Sequence, residues 1–128
     1  MLTARKELEP GFEIPPLTKR AFMIARGGIH GDEYAQQMGF ARGLVVGGTT
    51  LAYMTEMLTS FFGQSWFETG KISVTFTRPV FENDMVTCRG VVKEKAAEDS
   101  GVRLVLDIWM EKEDGEKVIV GTASARVQ

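Results

Sequence analysis

A chain of 128 residues has room for one folded domain with a single hydrophobic core, and not for two. Apolar residues make up 44% of the chain and charged residues 25%, which excludes a mainly disordered protein. Fifteen Lys and Arg residues against seventeen Asp and Glu residues give a net charge of −2, which provides no basic surface for nucleic acid or an anionic membrane.

The sequence also bears on membrane insertion, secretion, disulfide formation and metal binding. No apolar run approaches the roughly 20 residues that span a bilayer, and the first twelve residues, MLTARKELEPGF, lack the apolar centre of a signal peptide. Cys88 is the only cysteine, which excludes an internal disulfide and makes the cytoplasm the expected location. His30 is the only histidine, so we expect no metal site, and any imidazole chemistry must use this residue.

The first third of the chain predicts a strand and a short helix. Residues 1–16 contain three of the four prolines and predict an extended lead-in to one domain that spans residues 1–128. Weak alternation predicts a first strand over residues 17–24. Asp32 is the expected N-cap of a short helix that Gly39 ends, and His30 lies just before that helix.

A long helix is predicted over GGTTLAYMTEMLTSFFG, with Thr49 or Thr50 as its cap and Gly63 at its end. Its apolar residues lie on nearly every face, and Glu56 is its only charged residue. Such a helix is expected to be enclosed by the rest of the fold.

The second half of the chain predicts four strands. Apolar and polar residues alternate in KISVTFT, and further strands are indicated by MVTCRGVVKEK, VRLVLDIWM and VIVGTASARV. Turn residues separate them, including Asp114-Gly115. The predicted fold class is therefore α+β, an antiparallel sheet with one apolar helix. One copy would leave open sheet edges, so we expect a homodimer or a higher homo-oligomer.

Several short motifs resemble the MaoC-like dehydratase/hydratase family. They are Ile29-His30-Gly31-Asp32-Glu33-Tyr34-Ala35, Gly39-Phe40, Gly47 at the helix start, Phe76-Thr77-Arg78-Pro79-Val80 and Asp84-Met85-Val86. The resemblance covers roughly residues 17–92. It implies the hot-dog fold, in which an antiparallel sheet wraps around one long helix, and a hydratase or dehydratase acting on a coenzyme A ester.

The family's signature, Asp-x-Asn-Pro-x-His, is only partly present. His30 matches the histidine, which the resemblance implies is the general base, but the aspartate position falls on Ala25. Other hot-dog families place a carboxylate early on the central helix, near Ala52 in this chain. The first carboxylate on the helix here is Glu56, one turn later.

The remaining roles follow from the chemistry of a thioester. Charge that develops on its oxygen suits backbone N–H groups at a helix start, so Gly47 and Gly48 are the expected oxyanion donors, unless they form only a tight turn. An acid partner for His30 is available in Asp32, Glu33 or Glu56, although Asp32 fits a helix cap better. His30 itself has the alternative of a packing role.

Two arginines and the cysteine are the remaining candidate functional residues. Arg42 and Arg78 can bind the phosphates of coenzyme A, or form surface ion pairs instead. Cys88 lies in an apolar strand and is expected in the core rather than as a nucleophile.

The leading hypothesis is an enoyl-CoA hydratase or 3-hydroxyacyl-CoA dehydratase that needs no cofactor, because coenzyme A is part of the substrate. One alternative is a hot-dog thioesterase in which His30 or Glu56 activates water. The other is a non-catalytic acyl-thioester binder, or a subunit that completes the site of a partner.

Overall fold

The computed structural model describes residues 8–127, as one sheet and a group of helices. The elements in chain order are β1 (Leu17–Arg20), a short 3₁₀ turn (Gly28–His30), α1 (Asp32–Gln37), α2 (Gly47–Phe62), α3 (Gln64–Thr69), β2 (Lys71–Phe76), β3 (Met85–Glu98), β4 (Gly101–Lys112) and β5 (Lys117–Val127). Apart from the 3₁₀ turn and α3, this order agrees with the predicted succession of a strand, a short helix, a long helix and four strands.

The described strands form one antiparallel sheet in the order β1-β3-β4-β5-β2. Hairpins join β3 to β4 and β4 to β5, and Gly115 in the second hairpin has a φ of +86°, a conformation that glycine adopts without strain. Alternate residues of β4 form one buried face at Leu104, Leu106, Ile108 and Met110. The α+β fold class is confirmed.

The lead-in extends this sheet over the part that the structure describes. The Gly11 N–H donates to the Val92 carbonyl at 2.8 Å, and the Ile14 N–H donates to the Gly90 carbonyl at 3.0 Å. Ile14 is buried against Gly90, which has no side chain to obstruct it. Residues 9–12 form a turn, in which the Phe12 N–H donates to the Glu9 carbonyl at 3.0 Å and Gly11 has a φ of +97°, so this part of the lead-in is not extended. Residues 1–7 of that prediction lie outside the described residues.

The first strand is shorter than predicted. It ends at Arg20 instead of residue 24, because its partner strand begins at Met85, which pairs with Arg20. The residues before Met85 form a turn, in which Asn83 has a φ of +72°, and they give the first strand no further regular ladder.

The start of α2 corrects the predicted caps. The helix begins at Gly47 after Val46, and no side chain caps it. Thr49 and Thr50 are buried inside its first turn, and the Thr50 hydroxyl donates to the Gly47 carbonyl at 3.0 Å. Thr49 and Thr50 are therefore not N-caps. Gly63 ends the helix as predicted, with a φ of +64°.

The burial of α2 is also less complete than predicted. An exposed stripe runs along it at Gly48, Ala52, Glu56 and Ser60, one residue in every four. The sheet of one chain covers only the opposite face, where Met54, Met57, Leu58 and Phe62 are buried.

The helix α3 was not predicted at all. It is a short element in which Trp66 stacks on Phe62 at 6.1 Å between ring centroids, so tertiary packing stabilises six residues with no strong helical pattern. Within the described residues, none of the helices is both long and apolar enough to cross a bilayer.

Candidate active site

His30 ends the 3₁₀ turn that precedes α1, and a hydrogen bond fixes its ring. Its Nδ1 lies 2.8 Å from the Leu44 carbonyl oxygen. A carbonyl can only accept, so Nδ1 carries the proton and the neutral ring keeps a free lone pair on Nε2. Nε2 has no hydrogen-bond partner within residues 8–127. The histidine is therefore held in the tautomer that a general base needs.

Backbone contacts lock the same two segments together. The Leu44 N–H donates to the Ile29 carbonyl at 3.0 Å, beside the histidine bond. Gly43 is buried against the backbone of His30, and a Cβ atom at Gly43 would lie within 2.8 Å of the His30 carbonyl carbon. Only glycine allows this close approach, so Gly43 is a positioning residue for His30.

Asp32 also holds the His30 and Leu44 segments together, and it does not form the predicted N-cap. It is the first residue of α1, the N-cap is Gly31, and no side chain caps the helix. The Asp32 Oδ1 instead accepts the Gly43 N–H at 2.9 Å, across eleven residues of chain. The predicted N-cap is wrong because this loop amide takes the carboxylate.

The two glycines at the start of α2 present free backbone donors. The Thr49 N–H bonds to the Val46 carbonyl, whereas the N–H groups of Gly47 and Gly48 have no acceptor in the described part of the chain. Neither glycine has a positive φ, and a Cβ atom at either would meet its neighbours only at ordinary contact distances, 3.6 Å and 3.9 Å. Neither backbone strain nor packing thus requires glycine here, and its effect is to leave both amides open.

The bond between His30 and Leu44 ties the histidine to the segment that leads into α2. Leu44 and Gly47 are three residues apart, so their Cα atoms are separated by about 11 Å at most. The segment between them is held by the Val45 N–H, which donates to the Val80 carbonyl at 2.7 Å. The fold thus ties the predicted base to the segment that leads into the helix of the predicted oxyanion donors.

The candidate acids are not assembled around His30. Glu56 is 48% exposed on α2 and forms an ion pair with Lys19 at 2.9 Å, a hydrogen bond that raises the Lys19 pKa above its usual value. Glu33 is exposed on α1, and Ala25 is exposed where the family signature has aspartate. No carboxylate bonds to His30 among residues 8–127.

The two predicted arginines lie at the surface. The Arg42 guanidinium lies 4.7 Å from the centroid of the Phe81 ring and 3.8 Å from an Asp84 carboxylate oxygen. Arg78 is exposed just after β2, and its guanidinium has no partner within the described ranges. No contact joins the two arginines into one site.

A cleft of about 350 Å³ beside Gly43 contains an arginine that the sequence did not single out. Arg26 forms a 2.8 Å ion pair there with Glu82, 56 residues further along the chain, and this bond raises the pKa of Arg26. The cleft is lined by Met23, Arg26, Asp32, Arg42, Gly43, Glu82 and Asn83. No local motif could have marked Arg26, because its partner comes from a distant turn.

Cys88 is fully buried in β3, as predicted. Burial raises the pKa of its thiol to about 12, so at neutral pH the sulfur is a neutral thiol and not a nucleophile. The described residues contain no cluster of three or more His, Cys, Asp or Glu side chains that could hold a metal ion.

Known structures share this fold. The chain superposes on the (R)-hydratase from A. caviae involved in PHA biosynthesis with a TM-score of 0.75 and 21% identity, covering 97% of this chain and 100% of that one. It is also similar to a MaoC-like dehydratase from Rhodospirillum rubrum, with a TM-score of 0.77 and 16% identity over 95% and 94% of the two chains. A hot-dog-like protein from Thermanaerovibrio acidaminovorans gives a TM-score of 0.59 and 16% identity over 94% and 84%.

No protein-family model and no curated protein sequence matches the chain. The structural likeness, at these low identities, confirms the hot-dog fold that the MaoC-like motifs predicted.

Proposed function

We propose that this chain is a hot-dog enzyme of the MaoC-like dehydratase/hydratase family that hydrates 2-enoyl-CoA esters or dehydrates 3-hydroxyacyl-CoA esters. It would act in the cytoplasm as a homodimer or higher homo-oligomer, with His30 as the base and without a cofactor. The observation that carries the proposal is the geometry of His30, whose tautomer is fixed by a bond to the segment that leads into α2, a helix that starts with two open amides.

The reaction assigns a separate task to each group. In the dehydration direction the Nε2 lone pair of His30 removes a proton from C2, next to the thioester carbonyl, and negative charge develops on the carbonyl oxygen. The Gly47 and Gly48 amides would donate to that oxygen, and one such donor contributes about 3–4 kcal/mol to the transition state. The electrons then form the C2–C3 double bond as the hydroxyl leaves C3.

The departing hydroxyl needs a proton, which the protonated His30 can supply if both groups lie on the same face of the substrate. This route replaces the missing aspartate, because Asp32 is engaged by Gly43 and Glu56 by Lys19. One imidazole would thus remove a proton from carbon and return it to oxygen, which releases water and regenerates neutral His30.

Hydration of crotonyl-CoA, followed by the loss of enoyl absorbance, tests the proposal. We expect turnover by the wild-type chain and a loss of about 100-fold or more in His30→Ala, since general base catalysis contributes at least that much. Added imidazole should restore part of the activity of His30→Ala but leave the wild-type rate unchanged. Absence of wild-type turnover across chain lengths, or full activity in His30→Ala, would overturn the proposal.

A non-catalytic acyl-thioester-binding subunit is the second candidate. The observation that favours it is the exposed Ala25 at the aspartate position, together with a histidine that no described carboxylate contacts. Binding of acyl-CoA without turnover would support this role.

The thioesterase alternative is distinguished by release of free thiol that Glu56→Gln abolishes. The surface ion pair of Glu56 with Lys19 gives it no support.

Binding of the coenzyme A phosphates is proposed for Arg42 and Arg78. Because Arg78 is exposed and unpartnered within residues 8–127, Arg78→Ala should raise KM for crotonyl-CoA with little change in kcat. An unchanged KM would remove Arg78 from the site.

A further inference from the structure

The Tyr53 hydroxyl is the one buried side-chain polar atom in the described part of the chain that has no hydrogen-bond partner. The residue is 5% exposed on the inner face of α2. Leaving a buried hydroxyl unpaired is unfavourable, and phenylalanine would fill the same space without that cost. A hydroxyl kept at such a position indicates a partner that is present only part of the time.

Two further hydroxyl residues share this face. Thr50 and Thr49 lie three and four residues before Tyr53, and both are buried. An aromatic side chain in a helix leans toward the N-terminus over those positions, so the phenol is directed toward the Gly47–Gly48 end of α2. Tyr53 itself lies about 9 Å of helix rise beyond Gly47, and the leaning side chain covers part of that distance.

The neighbours of the Tyr53 ring outside α2 include the Lys19 ammonium, at 5.8 Å from its centroid, and the Phe22 ring. The Phe22 ring contacts the Tyr53 ring at 6.2 Å between centroids and is 51% exposed, and Ile24, two residues further on, is 62% exposed. Both belong to the segment between β1 and the turn that carries His30. A half-exposed side chain such as Phe22 changes rotamer rapidly, so it can make room for a ligand beside the Tyr53 ring.

We infer that Tyr53 binds the 3-hydroxyl group of a 3-hydroxyacyl thioester, with Phe22 against its acyl chain. A buried hydroxyl without a partner, beside the exposed Phe22 ring, matches an acyl chain that carries one oxygen, and the thioester oxygen has its proposed donors in Gly47 and Gly48. Tyr53 is then a specificity-determining residue that distinguishes a 3-hydroxyacyl ester from the unsubstituted ester. This inference rests on the proposed function and specifies its substrate.

Binding of two esters tests the inference without turnover. The parent chain carries His30→Gln, which prevents reaction. Dissociation constants for (R)-3-hydroxybutyryl-CoA and butyryl-CoA are measured for this parent and for the parent with Tyr53→Phe or Tyr34→Phe added. Tyr34 is the only other tyrosine and is 49% exposed on α1, so it is the matched control for loss of a phenol hydroxyl.

We expect the hydroxy ester to bind about tenfold more tightly than butyryl-CoA, since a hydrogen bond to an otherwise unpaired buried group has roughly that effect. The preference should disappear in Tyr53→Phe and persist in Tyr34→Phe. The Tm of Tyr53→Phe should equal or exceed that of its parent, because no bond within the chain is lost.

An equal preference in Tyr53→Phe, or no preference in the parent chain, would overturn the inference. Failure of the proposed function is distinguished separately, because it appears as absence of crotonyl-CoA hydration by the wild-type chain. Crotonyl-CoA hydration with an unchanged ester preference in Tyr53→Phe would remove the inference and leave the proposed function standing.

Discussion

The ring of His30 is bonded to the main chain of Leu44, fourteen residues further along, with 2.8 Å between Nδ1 and the carbonyl oxygen. This bond sets the tautomer of the only histidine and ties the 3₁₀ turn to the segment that enters α2. The relationship depends on a backbone approach, because Gly43 lies directly against His30. The site is therefore built from a loop and a helix start, and each depends on the other for its position.

Gly43→Ala should lower both stability and activity. The new methyl group would overlap the His30 backbone, which cannot move as a flexible side chain could. We expect a destabilisation of about 1–3 kcal/mol by denaturant unfolding. Displacement of His30 should reduce hydration by roughly 100-fold. Wild-type stability in this variant would contradict the close approach.

Gly47→Ala should lower activity without lowering stability. A methyl group there meets only the Phe76 ring, at 3.6 Å, and alanine reduces the freedom of the unfolded chain. Stability should stay the same or rise by up to about 1 kcal/mol. Hydration should fall by roughly tenfold or more, since the methyl group obstructs the open amides. A parallel loss of Tm would show instead that glycine is needed for packing.

Cys88 should be unreactive in the folded chain. Burial raises its pKa to about 12, so a thiol reagent at pH 8 should label the protein only when denaturant unfolds it. Because the folded pKa lies above the unfolded one, this group's contribution to stability is intact below about pH 9 and decreases between pH 9 and 12. The decrease in Tm over that range should be shallower in Cys88→Ala. Rapid labelling of the native chain would contradict the burial.

Glu98 should make stability depend on acid pH. Arg126 and Arg103 both bond its carboxylate, at 2.8 and 3.0 Å, and together they lower its pKa. A depressed carboxyl pKa gives stability that is present above the ordinary value of about 4.3 and is lost as pH falls through the folded value.

Glu98→Gln should therefore lower Tm at pH 7, and its difference from wild type should shrink toward pH 3. Glu116→Gln is the matched control, because this side chain is exposed and has no hydrogen-bond or ion-pair partner within residues 8–127. A difference that does not change with pH would show that charge is not the cause.

Local patterns in the sequence were sufficient for most elements. The period-two alternation in KISVTFT and the turn residues Asp114-Gly115 are local features, and the observed β2 and the last hairpin agree with them. The predicted N-caps at Thr49, Thr50 and Asp32 are wrong. Thr49 and Thr50 are buried inside the first turn of α2, and the Asp32 carboxylate accepts the Gly43 N–H from a distant loop. The helix α3 depends on the contact of Trp66 with Phe62 and has no local pattern strong enough to predict it.

The sequence alone determined that one histidine must serve any imidazole chemistry of this chain, and that Gly47 and Gly48 begin a long apolar helix. Residue counts, the spacing of apolar residues and the positions of turn-forming residues are properties of the sequence itself, so they can be obtained without a fold. Only the tertiary structure decided that His30 bonds Leu44, that Asp32 holds Gly43, that Glu56 pairs with Lys19, and that the Tyr53 hydroxyl is buried without a partner. These contacts join separate segments or depend on burial, and residue spacing does not encode which groups the folded chain brings together.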